Sequence, residues 1–591
     1  MKTRYFVFVY MSLWACSHTS TSDVTSDVFG NFNKGIVAAF GDFNADKLTD
    51  IFVLTNDGKT IYLLQAKQEL TEKKASFSSK KLMESNTSAI ASIAPGDFDG
   101  DAQMDLLLLR KTESNHISAE IHWGISGTNA LDKKALILNE TLKDQPSIID
   151  ANGDMIPDLV GETYTGSRVF FVFSTNRTYH TLEVRNSTSS NSLDPLRVPQ
   201  SSAFVDFNGD LVPDLCLVSE KDKRIAFEIW TAKNGIFEWN KTIASPAELI
   251  VSGRASFYDL NDNQEINIIL PGCIDVNCEQ SAIFVWGRGN WTRIMDFKDW
   301  NFFTESLPLS WLEVPMALRF GDYNLDGFPD AVTVLKSSRN NSYAAFLLLN
   351  TPCSSCEGFS RTFQINFDQP LSPESQHPLL CAFYDFMEDG ILDIVLTVYT
   401  DGEPKLLALE QDFTADAYFL KVMVVSGRCL DNCPNDHQPY GVNQVGPVIR
   451  FKTTTSTGAY EIGVSSQLSQ SAYFSLQLPF EVFGLGQTPN FVDLLEVGIQ
   501  NPPKSEKRQR SWTSIIPNSQ VVVVPYPTDS PSSWRSKLYV TPSRLVLLTG
   551  ISLLGTCALI GIITGLLHWR ERVEDKREKL QEAQRFHFDA M

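Results

Sequence analysis

One acidic phrase recurs seven times in the first four hundred residues of this 591-residue chain, and a repeat of that kind constrains the architecture more than any single residue does. It reads Asp-x-Asn/Asp-x-Asp-x-x-x-Asp between two apolar runs. Five copies are complete: Asp42, Asn44, Asp46 and Asp50; Asp97, Asp99, Asp101 and Asp105; Asp150, Asn152, Asp154 and Asp158; Asp206, Asn208, Asp210 and Asp214; and Asp322, Asn324, Asp326 and Asp330. Two are worn, one running Asp259, Asn261, Asn263, Asn267 and the other Asp385, Met387, Asp389, Asp393. Successive first aspartates lie 53 to 63 residues apart, which leaves room for about four short strands per unit. Seven such units predict an all-β, seven-bladed β-propeller over residues 28–412, because a closed ring removes the free sheet edges that an open stack would leave.

The spacing also predicts what the loops hold. Oxygens at positions 1, 3, 5 and 9 of a tight loop, with a backbone carbonyl near position 7, converge on one hard cation, and calcium accepts such a flexible shell. An EF-hand is excluded: its bidentate Glu at position 12 is replaced by Val53, Leu108, Gly161, Leu217, Leu270, Thr333 or Leu396, and the flanks read as strands. Clustered carboxylates repel one another until a cation joins them, which ties the metal to stability. A shell filled by protein oxygens leaves little room for a ligand, so the expected role of calcium is structural. The fifth copy, with one carboxylate, and the seventh, with Met387 at position 3, are expected to hold it more weakly.

Other features place the chain in the secretory pathway. Lys2 and Arg4 precede an apolar run, and Ala15-Cys16-Ser17 has the small residues of a signal-peptide cleavage site, so residues 1–17 read as a signal peptide. Leu545 to Leu567 carries no charge over 23 residues, enough at about 1.5 Å per residue to cross about 30 Å of hydrocarbon. Arg570, Arg572, Lys576, Arg577 and Lys579 follow it, which predicts an extracellular N-terminus at the plasma membrane and a cytoplasmic tail over 568–591. Seven N-x-Ser/Thr sequons, at Asn86, Asn139, Asn176, Asn186, Asn240, Asn290 and Asn340, all precede the span. Cys273/Cys278, Cys353/Cys356 and Cys429/Cys433 read as local disulfides, leaving Cys216 and Cys381 without an obvious partner. With 50 Lys+Arg against 70 Asp+Glu, nucleic acid is excluded as a partner, since phosphate-backbone binding needs clustered cations.

The acidic phrases resemble the FG-GAP repeats of integrin α-chain propellers, and Phe40-Gly41-Asp42 and Phe320-Gly321-Asp322 keep the Phe-Gly opening. Seven copies, a smaller β domain, one span and a short basic tail together resemble the T-cell immunomodulatory protein, or linkin, family of single-pass FG-GAP proteins. That resemblance implies a type I cell-surface glycoprotein acting in adhesion, signalling or T-cell immunomodulation. It also implies an extracellular protein ligand or receptor, and cytoplasmic contacts with RuvB-like ATPases and tubulin. Phe483-Gly-Leu-Gly486 and the following Phe491 to Val497 are similar to a segment of the small β domain in the cartilage acidic protein family.

Residues 418–525 are expected to form a membrane-proximal β-sandwich, with strands at Lys421 to Val425, Pro447 to Lys452, Tyr473 to Leu478 and Val521 to Val524, and 526–544 to be a linker. Asn501 to Arg510 reads as an exposed connector whose Lys507-Arg508-Gln509-Arg510 run offers a protease site for shedding the ectodomain. No G-x-S-x-G, HExxH or P-loop occurs, so a non-enzyme is expected. The alternatives are a secretory-pathway enzyme or enzyme subunit, and a carbohydrate-binding receptor using Trp286 and Trp291. Trp300, Phe302 and Phe303, in insertions that lengthen the last repeats, are the expected ligand-facing patch.

Overall fold

The computed structural model describes residues 20–588 except for 69–74, 86–87, 113, 115, 186–192, 306, 355, 357, 374–375, 413–416, 429–438, 456–457, 472, 488–490 and 541–543. The signal peptide, the sequons at Asn86 and Asn186 and the Cys429/Cys433 pair lie outside the described residues.

Among the described residues, seven antiparallel sheets of four or five strands follow one another along residues 36–412, each with one acidic phrase in the loop between its first two main strands. The first is built from Ile36–Gly41, Asp50–Leu54, Thr60–Gln68 and Ala75–Glu84. Its first two strands are buried along their whole length, as the unbroken apolar run Ile51 to Leu54 demands. Fourth strands such as Thr178–Glu183 are mostly exposed. The first strands therefore line the axis of the propeller and the fourth strands its rim. The seventh sheet takes its fourth strand from the other end of the chain: Ser20–Asp23 pairs antiparallel with Glu403–Asp412, Ser20 opposite Asp412. The propeller thus begins before residue 28, because the last repeat supplies three strands and its open edge needs a fourth.

Residues 419–540 form two packed four-stranded sheets. Ser519–Val524 pairs in parallel with Phe419–Val424 and is buried on both faces. Val521 and Val523 enter the sandwich core, while Val522 and Val524 pack with Met423, Val425 and Phe480 on the side away from it. The second sheet contains Val448–Thr454 and Val492–Ile499. Two expectations fail here. Arg535–Val540, within the supposed linker, adds an edge strand beside Ser519–Val524, and Trp534 before it is buried with its indole N–H on the Pro527 carbonyl. Lys507 to Arg510 is no free connector: Arg508–Ile515 is a strand, and Arg508 is buried.

Tyr473 to Leu478 is also not a strand. Residues 467–471 and 473–480 run as a finger into the axis, and polar groups along it are matched by residues in or beside the first strands. Gln470 Oε1 accepts from the amide of Phe40 at 3.4 Å, Tyr473 donates its amide to Gln145 Oε1 at 2.8 Å, Arg319 donates to the Phe474 carbonyl at 2.6 Å, and Tyr258 donates its hydroxyl to Gln477 Oε1 at 2.9 Å. At the opposite end a segment from the sixth repeat crosses to the first two sheets. Trp311 donates its indole N–H to the Asn56 carbonyl at 2.8 Å, and Glu313 pairs with Lys111. Gly58, at φ +67, lies directly under that indole, where a Cβ would come within 2.8 Å of the ring. The finger thus touches the first, third, fifth and sixth sheets along the axis, and the crossing segment touches the first and second.

The helix Arg544–Phe588 contains a stretch, Thr549–Glu582, long and apolar enough to cross a membrane.

Candidate metal centres

The seven acidic loops share one internal geometry. The first aspartate binds the backbone of its own loop: Asp42 accepts from the amides of Asp46 and Lys47, both at 2.9 Å, and Asp97 from those of Asp101 at 3.0 Å and Ala102 at 2.9 Å. Folding the chain tightly around that carboxylate needs two left-handed residues. They stand at positions 4 and 6: Ala45 and Lys47, Gly100 and Ala102, Gly153 and Met155, Gly209 and Leu211, Asp262 and Gln264, Leu325 and Gly327, Glu388 and Gly390.

The aspartate at position 9 knits the sheet. Asp105 accepts from the amides of Phe98 and Gly124, both at 2.8 Å; Asp158 from those of Ala151 at 2.9 Å and Phe173 at 2.8 Å; Asp214 from Phe207 at 3.1 Å and Ala232 at 2.8 Å. Asp50, Asp330 and Asp393 repeat the pattern. In the fifth loop Asn267 substitutes, its oxygen accepting from Leu260 and its amide donating to the Trp286 carbonyl.

These carboxylates are costly to ionise where they sit. Burial raises Asp42 to about 6, Asp97 to about 8, Asp150 and Asp214 to about 7 and Asp158 to about 9, and raises Asp50, Asp105, Asp322 and Asp330 well above the ordinary range, with neighbouring aspartates adding to the effect. A divalent cation would supply the opposite charge that burial denies them. Two further observations fit such an ion. Asp97, Asp99 and Asp105, all buried, bring one oxygen each within 4.8 Å of one another. Among the described residues, nothing donates a hydrogen bond to the buried side-chain oxygens of Asn44 and Asn261, both at position 3, and an oxygen without a donor suits a cation. The complete loops, namely those of Asp42, Asn44, Asp46 and Asp50; Asp97 to Asp105; Asp150, Asn152, Asp154 and Asp158; Asp206, Asn208, Asp210 and Asp214; and Asp322, Asn324, Asp326 and Asp330, thus have donor sets that fit calcium.

The sandwich covers this face, which the repeats alone do not reveal. Asn443 accepts from the Asp42 amide at 3.3 Å, and Gly484 donates its amide to Asp322 Oδ2 at 2.8 Å. Arg428 packs on Gly100 and donates to the Asp154 carbonyl at 3.0 Å, while Arg508 donates to the Gly153 carbonyl. Lys507 pairs with Asp210 at 3.0 Å, and Lys421 with Asp385 at 2.9 Å. A cavity of about 60 Å³ remains between the fifth and sixth loops and the sandwich, lined by Asp259, Asp262, Asp322, Gln477 and Glu481 among others.

The expected ligand patch is not presented as such. Phe302 is buried against Phe297, Trp300 stands edge-on to Phe346 at 4.8 Å, and Phe303 meets Tyr343 at 5.0 Å. Trp286 and Trp291 pack on each other at 5.6 Å. Cys273–Cys278 and Cys353–Cys356 are disulfides, and Cys216 and Cys381 are buried thiols. Asn139, Asn176, Asn240, Asn290 and Asn340 are exposed.

Comparison with known proteins agrees with this architecture. A family model described as an FG-GAP-like repeat matches residues 42–108, and one described as "ITFG1, C2 domain" matches residues 439–539. The extracellular domains 1–2 of Drosophila semaphorin 1a resemble the chain at 10% identity over 66% of this chain and 88% of that one, with a TM-score of 0.36, so the fold assignment stands on the strands and loops themselves. The chain is 29% identical to protein linkin of Caenorhabditis elegans over 94% of its own length and 95% of the relative. It is 40% identical to the T-cell immunomodulatory proteins of Homo sapiens and Mus musculus, in each case over 96% of this chain and 94% of the relative. The chain belongs to the T-cell immunomodulatory protein family.

Proposed function

We propose that the chain is a non-catalytic, single-pass type I cell-surface glycoprotein that binds an extracellular protein through the rim of a calcium-stabilised, seven-bladed propeller, with adhesion, signalling or T-cell modulation as the outcome. The observation that carries this reading is the occupation of the axis. Propellers that act on small molecules use an open mouth, and here the finger touches four sheets along the axis and the Trp311 segment touches two. The loop face is under the sandwich. What remains is a large exposed rim, where outer strands show Leu182, Ile236 and Trp239 to solvent, a surface suited to protein contact. Glycans at the exposed sequons would restrict that contact to the sheets between them. In this reading the propeller runs from residue 20 to 412, the sandwich from 418 to 540, and the five complete loops carry structural calcium.

The family names support an immunomodulatory role, and the resemblance supports cytoplasmic contacts of the tail with RuvB-like ATPases and tubulin. Proximity labelling from the full-length protein on intact cells tests the reading. Recovery of one extracellular protein neighbour, lost when Trp239 and Ile236 are replaced by Ser, is the expected result; a glycan-only or small-molecule dependence would refute it.

A further inference from the structure

The seventh loop is broken at its third position, where Met387 offers no oxygen. A cation of the protein's own stands beside it. Lys421, on the sandwich strand Phe419–Val424, reaches over the loop and donates from its ammonium to Asp385 Oδ2 at 2.9 Å and to Glu388 Oε2. Both Lys421 and Asp385 are 1% exposed. The Phe480 ring faces the ammonium at 3.9 Å.

Asp385 meanwhile does what every first aspartate does: Oδ1 accepts from the Asp389 amide at 3.1 Å and Oδ2 from the Gly390 amide at 3.0 Å. The ammonium therefore meets the same carboxylate that heads the metal-fitting loops. Glu388, at position 4, adds a second carboxylate, which among the other loops only the fifth has there, as Asp262, and its other oxygen accepts from the Thr49 amide of the first loop at 3.4 Å.

Other cations near these loops are placed differently, and the buried Arg508 and Arg361 donate to the Gly153 carbonyl and to Asn350 instead of a first aspartate. Arg177 at Asp99 and Lys507 at Asp210 are 39% and 52% exposed, and Lys47 stands 3.5 Å from Asp42 with its ammonium bonded to the carbonyls of Ala45 and Gly441. A fully buried ammonium is tolerated only where carboxylates and an aromatic face replace its water, and these partners supply both.

We propose that Lys421 is the resident cation of the seventh loop, an ammonium carried by the sandwich where the complete loops take calcium, so that this loop is closed to metal and latches the two domains whether or not calcium is present. The statement about metal rests on the calcium reading of the other loops; the latch does not. Two measurements on the full-length protein in detergent separate them. Bound calcium is counted after equilibration in calcium and desalting. Met387→Asp restores the acidic phrase, yet with Lys421 in place it should bind the wild-type number of ions, whereas Met387→Asp with Lys421→Met should bind one more per chain. A gain in Met387→Asp alone, or none in the double variant, overturns the substitution of ammonium for metal. Hydrogen exchange in chelator reads the latch. Amides of 419–424 should stay protected in the wild type while those of 42–50 and 322–330 open, and Lys421→Met should exchange at 419–424 at least tenfold faster. Equal exchange in wild type and variant overturns the latch. A wild-type chain that binds no calcium overturns the metal statement alone, and the exchange result then decides the latch by itself.

Discussion

Tyr473 of the sandwich donates its hydroxyl to Asp144 of the propeller at 2.6 Å, both side chains buried. A buried hydrogen bond to a carboxyl is worth about 1–3 kcal/mol when its partner is left unmatched. Tyr473→Phe should therefore lower the stability of the full chain by that amount. Tyr343→Phe removes an equally short bond to Glu305, at 2.6 Å but exposed, and should change stability by less than about 0.5 kcal/mol. Chemical denaturation of the two variants side by side checks the contrast, and equal losses would mean that the finger is not anchored at this point.

Calcium should raise the melting temperature. Binding to the native state alone adds about RT ln(1 + [L]/Kd), so millimolar calcium over a site with a Kd of about 10 µM contributes roughly 2.7 kcal/mol per site. Melting curves that superimpose with and without chelator would remove calcium from the account of this face.

Positions 5 and 9 of one loop should separate metal binding from folding. Asp154 is exposed, and its Oδ1 accepts from the Ile156 amide at 2.8 Å, a bond an amide oxygen can also accept. Asp154→Asn should leave the chelated protein within about 0.5 kcal/mol of wild type and shrink the calcium increment. Asp158 is buried with two backbone amides on its oxygens. Asp158→Ala leaves both unmatched and should cost about 3 kcal/mol or more with or without calcium. Melting in chelator, then in calcium, distinguishes the two; similar behaviour would show that position 9 serves only the metal.

The sheets and loops were legible because their signals are local. A nine-residue phrase fixes its own turn, and Gly100, Gly153 and Gly209 at position 4 with Gly327 and Gly390 at position 6 mark the left-handed backbone directly. What stayed hidden joins distant parts of the chain. Nothing near Ser20 announces a strand partner at Asp412, and the Gln- and Ser-rich stretch from Gln467 to Gln477 carries no periodicity that would identify a finger. Arg508 lies in a basic run that looks solvated, and the Gly153 carbonyl, supplied by another domain, together with the Asp529 carboxylate, explains its burial. Lys421 is hidden in the same way, since its carboxylates lie 33 and 36 residues back along the chain.

Glu481 should give the contact between the domains a measurable pH dependence. It lines the cavity beneath the sandwich, and its Oε2 accepts from the Ser465 hydroxyl at 2.8 Å. Burial pushes its carboxyl up to about 8 from an ordinary value of 4.5, the Ser465 bond opposing only in part. Between those values the folded chain holds a proton that the unfolded chain has lost. Stability from this group is therefore fully present below about 4.5, declines as pH rises, and is gone above about 8. Asp259, Asp262 and Asp322 face the same cavity, but they are common to wild type and variant and drop out of the difference. Glu481→Gln stays neutral at every pH, so it should lie within about 1 kcal/mol of wild type near pH 5 and melt at a clearly higher temperature than wild type at pH 8.5, in saturating calcium throughout. A difference between the two proteins that does not change from pH 5 to pH 8.5 would show that Glu481 is ionised in the folded protein across that whole range.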